Sequence, residues 1–244
     1  MRKTKIICTL GPATESEDTL REMILAGTNI FRLNMSHAPH EWVRTLVPRI
    51  RRIAEVLGQP IGILMDTQGP AIRTGDVDEK IELHRGDIVE FRTRGLEPRE
   101  EYSVDVNYDG LVDDLTVGNT VLVDNGVLHM EVLEKGNGRV RCRVLTDGLM
   151  GSRRHINLPG VKVNLPPLTE KDLKDVALGA ELGVDMVALS FCREPSDVDA
   201  LRQVLREHRS RARIVAKIED QLAVRNIREI IEKTDVIMVA RGDL

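Results

Sequence analysis

The 244 residues, 41% apolar and 30% charged, are enough for one large core or two ordinary ones, and a net charge of -4 leaves no broad basic face for nucleic acid. Cys8, Cys142 and Cys192 lie far apart and outside any CxxC spacing, which excludes a disulfide framework or zinc knuckle and fits a reducing cytoplasm. No run approaches the roughly 18 apolar residues of a membrane span, residues 1–9 carry no targeting pattern, and aromatics at 2% are too few for a stacking platform.

The apolar run 5–10 predicts a first strand. Leu20, Met23 and Ile24, closed by Gly27, predict a helix; a second strand follows at 29–35, a second helix near 41–57 and a third strand at 61–65. From 74 to 159 the pattern changes to short β-type runs, 81–84, 88–92, 120–123 and 140–145, separated by turns containing glycine. That predicts a small β domain set into a βα series, with hinges at 69–75 and 158–167, both rich in Gly or Pro. The series then resumes. Thr169 with Asp172 reads as a capping box, Ser196 after Pro195 as a helix N-cap, and strands are expected at 186–191, 214–218 and 236–240. Six βα-type strands imply a parallel sheet, and at this point a barrel and an open doubly wound sheet both remain open.

Period-two alternation sends Phe31, Leu33 and Met35 to one face of the second strand and Arg32, Asn34 and Ser36 to the other. A solvated edge strand would alternate in the same way, but its place in a parallel series argues for a chemical face. Lys217 and Glu219, two apart, share a face at the end of the fifth strand, and Asp243 stands just past the sixth. In a barrel, Asp66, Lys217, Glu219 and Asp243 fall at the carboxyl ends of strands, where such folds keep their chemistry. Glu219 and Asp243 then offer oxygen ligands to Mg²⁺, the competing reading being an ordinary ion pair and a helix cap. No GxxxxGK[ST] loop and no protein-kinase signature set is present. His37 and His40 lack further His or Cys nearby, so a surface or hydrogen-bonding role precedes zinc. Arg153 and Arg154 beside the second hinge suit a phosphate, or solvent.

Those residues lie within blocks that closely resemble the pyruvate kinase family: 3–14, Arg32-Leu33-Asn34-Met35-Ser36-His37, Asp66-Thr67-Gln68-Gly69-Pro70, Ile72-Arg73-Thr74-Gly75, Asn157-Leu158-Pro159-Gly160, Leu189-Ser190-Phe191, Ala216-Lys217-Ile218-Glu219 and Ala240-Arg241-Gly242-Asp243-Leu244. The resemblance implies an α/β fold, a (β/α)8 TIM-type barrel (1–73 and 160–244) with a small all-β lid domain (74–159) inserted after strand three. It implies Mg²⁺-dependent phosphoryl transfer between phosphoenolpyruvate and ADP, giving pyruvate and ATP in glycolysis. In that pattern Lys217 stabilises the phosphoryl group in flight, Arg32 contacts it, and Glu219 and Asp243 hold Mg²⁺ or Mn²⁺. Gly242 and Asp243 amides receive the substrate carboxylate, and Asn34, His37, Arg73 and Arg154 lie along the nucleotide path. Asn34, Ser36, Asp66 and the Thr67 carbonyl are the expected K⁺ ligands, although Gln68 and Ala71 replace a lysine and a glutamate of many K⁺-dependent members, and Ala38 replaces a glycine.

Leu244 follows the sixth strand, so the resemblance implies a barrel truncated there, without the strands, threonine and effector region that follow in the family. A chain of this extent is expected to self-associate, where the family forms homotetramers, and to show little or no turnover. Two other functions fit the pattern: a Mg²⁺-dependent aldolase or lyase acting on a pyruvate enolate, and a non-catalytic fragment that retains ligand binding.

Overall fold

The computed structural model describes residues 3–161 and 163–241. It opens with β1 (Ile7–Thr9), a 3-10 turn at Pro12–Thr14, α1 (Glu17–Leu25), β2 (Ile30–Asn34), α2 (His40–Leu57) and β3 (Gly62–Asp66). The middle carries β4 (Ile81–Leu83), β5 (Ile88–Thr93), β6 (Tyr102–Val106), a one-turn helix α3 (Leu111–Asp114), β7 (Thr120–Val123), β8 (Leu128–Gly136), β9 (Arg139–Val144), β10 (Gly148–Met150) and β11 (Ile156–Asn157). The βα series then resumes with α4 (Glu170–Leu182), β12 (Met186–Leu189), α5 (Pro195–Glu207), β13 (Arg213–Ile218), α6 (Gln221–Arg225), α7 (Ile227–Lys233) and β14 (Val236–Val239).

Six strands form one parallel sheet in the order β1-β2-β3-β12-β13-β14. Each new unit lies beside the one before it with no reversal of order. That is the winding of a barrel rather than of a doubly wound sheet. The helix-facing side packs Phe31, Ile63, Met65, Val187, Leu189, Ile214 and Ala216 into one large cluster with the buried faces of the helices. The other side is apolar only at its foot, where Leu64, Ala188 and Val215 meet Ile30, Met186 and Met238. One period further along these strands the inward residues become Arg32, Asp66 and Lys217, so the chemical face is the upper half of the barrel interior.

The foot of the sheet is tied by a repeated device. Asn29, just before β2, donates its amide to the Ile6 carbonyl (3.0 Å), and its Oδ1 accepts the Ile6 amide (2.9 Å). Asp185 does the same with Ile63 (3.0 and 2.7 Å), and Asp235 with Ile214 (3.2 and 2.8 Å). At the β2–β3 and β12–β13 boundaries only backbone bonds appear, Gly62 to the Asn29 carbonyl and Arg213 to the Asp185 carbonyl, both 2.9 Å. Neither Gly62 nor Arg213 has a side-chain oxygen to return the bond.

The second sheet, in order β11-β7-β8-β9-β5-β6, is antiparallel except for the parallel pair β5–β6, and β4–β10 form a separate ribbon. It has its own cluster, including Leu83, Phe91, Val123, Met130 and Val144. The β reading of this segment requires one amendment, because α3 is a helical turn within it. The strands that enter and leave it lie together: Ile156 donates to the Ile72 carbonyl (2.8 Å) and Thr74 to that of Arg154 (2.9 Å).

The capping box at Thr169 is present, whereas Ser196 is not a cap. Glu194 holds that position, its amide donating to Asp197 Oδ2 at 3.1 Å, because Pro195 fits N1, where the missing N–H costs nothing. Among the described residues no helix is long and apolar enough to cross a membrane.

Candidate active site

Lys217 is the last inward residue of β13, and its ammonium has three neighbours: Glu219 Oε1 at 2.8 Å, Ser190 Oγ at 2.8 Å and Asp66 Oδ1 at 3.3 Å. The register that sets Asn34 beside Asp66 and Ala188 beside Asp66 brings the ends of β2, β3 and β12 around it. Asp66, 1% exposed, stands between two cations, because its Oδ2 accepts both Nε and Nη2 of Arg32 at 2.6 Å. Arg32 Nη1 also reaches Thr9 Oγ1 at 2.9 Å, which fixes the guanidinium from the β1 side. Arg32 remains partly exposed, so Asp66 orients a cation that faces the cavity.

The loop after β12 shapes the other flank. Ser190 donates its hydroxyl to the Thr67 carbonyl (2.6 Å), and its amide donates to Thr67 Oγ1 (3.2 Å). Phe191 adopts φ 53°, a costly conformation for a bulky residue, and its amide donates to Glu219 Oε2 at 2.6 Å. Gly69, at φ 71°, passes directly behind: a Cβ there would stand 2.8 Å from Ser190 Cβ and 2.9 Å from Phe191 Cδ2. Only glycine satisfies both the backbone and the space.

A cavity of about 450 Å³ lies over this cluster. Arg32, Asn34, Ser36 and His37 line it from the β2 side, and Thr67, Lys217 and Glu219 from its floor. Arg73 and Arg154 line it from the hinge and the second sheet, with Arg153, Asp124 and His155. Asp66 lies behind the wall, and Gly242 and Asp243 fall outside the described residues. Arg154 pairs with Asp124 (3.3 Å), and Arg73 donates to the Arg153 carbonyl (3.1 Å). Five cationic side chains, Arg32, Arg73, Arg153, Arg154 and Lys217, line the cavity; Glu219 and Asp124 line it with them, Asp66 stands behind Arg32 and Lys217, and Asp76 holds Arg153 at 2.8 and 3.0 Å, so one positive charge is left over and the cavity is suited to an anion.

Sequence reasoning left three residues out. Ser190 follows Ala188 at the inward period of β12 and was legible on that ground, whereas Asp124 and Asp172 reach the site through long-range contacts that leave no local spacing. His40, considered beside His37, turns away from the cavity and meets Asp175 Oδ1 at 2.6 Å.

A barrel-wound parallel sheet with charged groups gathered at the carboxyl ends of its strands belongs to the class of barrel proteins that place their site at that rim. The whole chain, residues 1–244, matches the model of the pyruvate kinase barrel domain, and the chain belongs to that family. It is 44% identical over 247 residues to a pyruvate kinase of Staphylococcus epidermidis, 45% over 248 to one of Staphylococcus haemolyticus and 42% over 247 to one of Staphylococcus aureus. All of this chain is covered in each comparison, and it spans 42% of the length of those curated relatives.

Proposed function

We propose that the chain supplies the phosphoryl-transfer site of a pyruvate kinase, moving the phosphoryl group of phosphoenolpyruvate to ADP with release of pyruvate and ATP. The observation that carries this reading is Lys217, held by Ser190, Asp66 and Glu219 in the same cavity as Arg32. In the transfer, the bond from phosphorus to the enol oxygen breaks while one forms to a terminal oxygen of ADP, charge spreads over the phosphoryl oxygens in flight, and the enolate left behind takes a proton from water at its methylene carbon to become pyruvate. Lys217 and Arg32 face that charge from two strands, already oriented by Asp66, so little reorganisation accompanies the step. Asn34, His37, Arg73 and Arg154 are proposed along the nucleotide, and the amides of Gly242 and Asp243 for the substrate carboxylate.

Glu219 and Asp243 are proposed to hold Mg²⁺ or Mn²⁺. Glu219 fits, since it is a carboxylate at the floor of an anion cavity, and Mg²⁺ takes one or two such ligands and completes its shell with water and substrate oxygens. The metal supplies charge neutralisation at the phosphoryl oxygens. The proposed K⁺ ligands fit less well. Glu219 accepts Lys217 at one oxygen and the Phe191 amide at the other, whereas Asp66 accepts two bonds at each, from Arg32 on Oδ2 and from Lys217 and Ser190 on Oδ1, and the Thr67 carbonyl accepts the Ser190 hydroxyl.

Residues 74–159 are proposed as the lid domain, 1–73 and 160–244 as the barrel domain, with a cytoplasmic location. Self-association is proposed because β1 and β14 each pair on one side only among the described residues. The aldolase or lyase reading accounts for the strand-end carboxylates but gives the Arg73, Arg153 and Arg154 wall no role; a nucleotide gives it one. A coupled assay following pyruvate from phosphoenolpyruvate, Mg²⁺ and ADP tests the proposal. ADP-dependent pyruvate formation is expected from a complete barrel carrying these residues, and Mn²⁺ binding that is lost on replacing both Glu219 and Asp243 by alanine. Enolate cleavage or condensation without nucleotide would overturn it.

A further inference from the structure

The site loops are gripped from behind by the first turn of α4. Asp172 is fully buried, and its two oxygens do different work. Oδ2 accepts the amide and the hydroxyl of Thr169 at 2.9 and 2.6 Å, which is all that helix capping requires. Oδ1 accepts the amides of Gln68 at 3.0 Å and Gly69 at 3.1 Å, in the loop after β3. One turn away on the same helix, buried Asp175 holds Lys171 at 2.7 Å, and Lys171 donates to the Met35 carbonyl at 2.7 Å, in the loop after β2. A single helical turn therefore sets the height of both loops that border the cavity.

We infer that Asp172 is a positioning residue for the site: by holding the Gln68 and Gly69 amides it seats Gly69 against Ser190 and Phe191, and so fixes the Ser190 hydroxyl on Lys217 and the Phe191 amide on Glu219. The contact chain is continuous, since Gly69 leaves no slack behind Ser190 and Phe191. The carboxylate is well suited to the task. It lies at the positive end of α4, which favours its charge, and charge-assisted bonds to buried amides are short and directional. The consequence for turnover rests on the phosphoryl-transfer reading; the consequence for the loops does not.

Three substitutions separate positioning from capping. Thr169→Ala removes the capping hydroxyl and leaves the loop acceptors; Asp172→Ala removes both; Asp172→Asn keeps one oxygen for the loop amides. Hydrogen exchange at the Gly69 and Phe191 amides is expected to quicken about ten-fold or more in Asp172→Ala, to stay as in wild type in Thr169→Ala, and to recover in Asp172→Asn. Should Asp172→Ala not fold, Asp172→Ser, able to serve the cap but too short for the loop, is expected to quicken the same amides. In the coupled assay, kcat is expected to fall about ten-fold in the loop-loosening variants with a smaller change in KM, and to remain normal in Thr169→Ala. Phe191 and Gly69 exchanging as in wild type when Asp172 is Ala or Ser would overturn the inference. Absence of pyruvate formation by a complete barrel carrying these residues would sink the phosphoryl-transfer reading alone, and the exchange comparison would still decide this one.

Discussion

Gly69 and Ser190, from loops that follow different strands, are in such close contact that the smallest side chain on Gly69 would stand 2.8 Å from Ser190 Cβ and 3.1 Å from the Ser190 carbonyl oxygen. Gly69→Ala therefore meets two costs, a left-handed backbone and a collision with Ser190 Cβ, which moves only when its own main chain moves. The expected loss is about 2–4 kcal/mol of stability, read as a lowered denaturant midpoint. A variant as stable as wild type would show that the two loops move apart freely.

Ser190→Ala takes one of three partners from Lys217 and the hydroxyl donor from the buried Thr67 carbonyl. Stability is expected to fall by about 1–2 kcal/mol, because the carbonyl is left short of a donor. Turnover should drop about ten-fold with KM moved less, since the ammonium loses orientation rather than charge. An unchanged kcat would remove Ser190 from the site.

In a complete barrel carrying these residues, Lys217→Ala is expected to lower kcat by about a hundred-fold or more while changing KM little, its charge being needed where phosphoryl charge develops. Steady-state assays with varied phosphoenolpyruvate provide the test. A raised KM at normal kcat would assign Lys217 to binding alone.

Glu90 stands on β5, between β6 and β9 in the second sheet, and accepts bonds from the Ser103 hydroxyl (2.7 Å), the Arg99 amide (3.1 Å) and Arg139 (3.0 Å). Burial by itself would raise its pKa, but those three donors together hold the carboxyl below its ordinary value of 4.5. A lowered folded-state pKa contributes stability above the unfolded value, and that stability is lost as pH falls through the folded one. Thermal midpoints at about pH 7 and about pH 3.5 should thus differ more in wild type than in Glu90→Gln, whose side chain does not titrate. Equal pH dependence in the two proteins would mean that Glu90 is not coupled to folding.

The six-strand series, the β segment within it, and the inward placement of Arg32, Lys217 and Glu219 were legible because they depend on period and spacing, which are local. Strand order was not local, and a barrel could be told from an open sheet without the family resemblance only once β3 was seen beside β12. Asp172 shows the limit. Its capping role was visible three residues from Thr169, while its grip on Gln68 and Gly69 spans more than a hundred positions of chain. Ser196 failed for a different reason, since the chemistry of a cap residue was weighed without the preference of Pro195 for the first helical position.

The reciprocal ties of Asn29, Asp185 and Asp235 divide the parallel sheet into three two-strand planks, β1–β2, β3–β12 and β13–β14, with joints at β2–β3 and β12–β13. Arg32 faces Asp66 across the first joint, and Ser190 faces Lys217 across the second. A phosphoryl group held between Arg32 and Lys217 therefore spans both joints at once. It acts as a staple across the planks, and the mouth of the barrel is expected to stiffen at both joints when the cavity fills, while the foot of each plank, pinned by its own reciprocal tie, stays as it is.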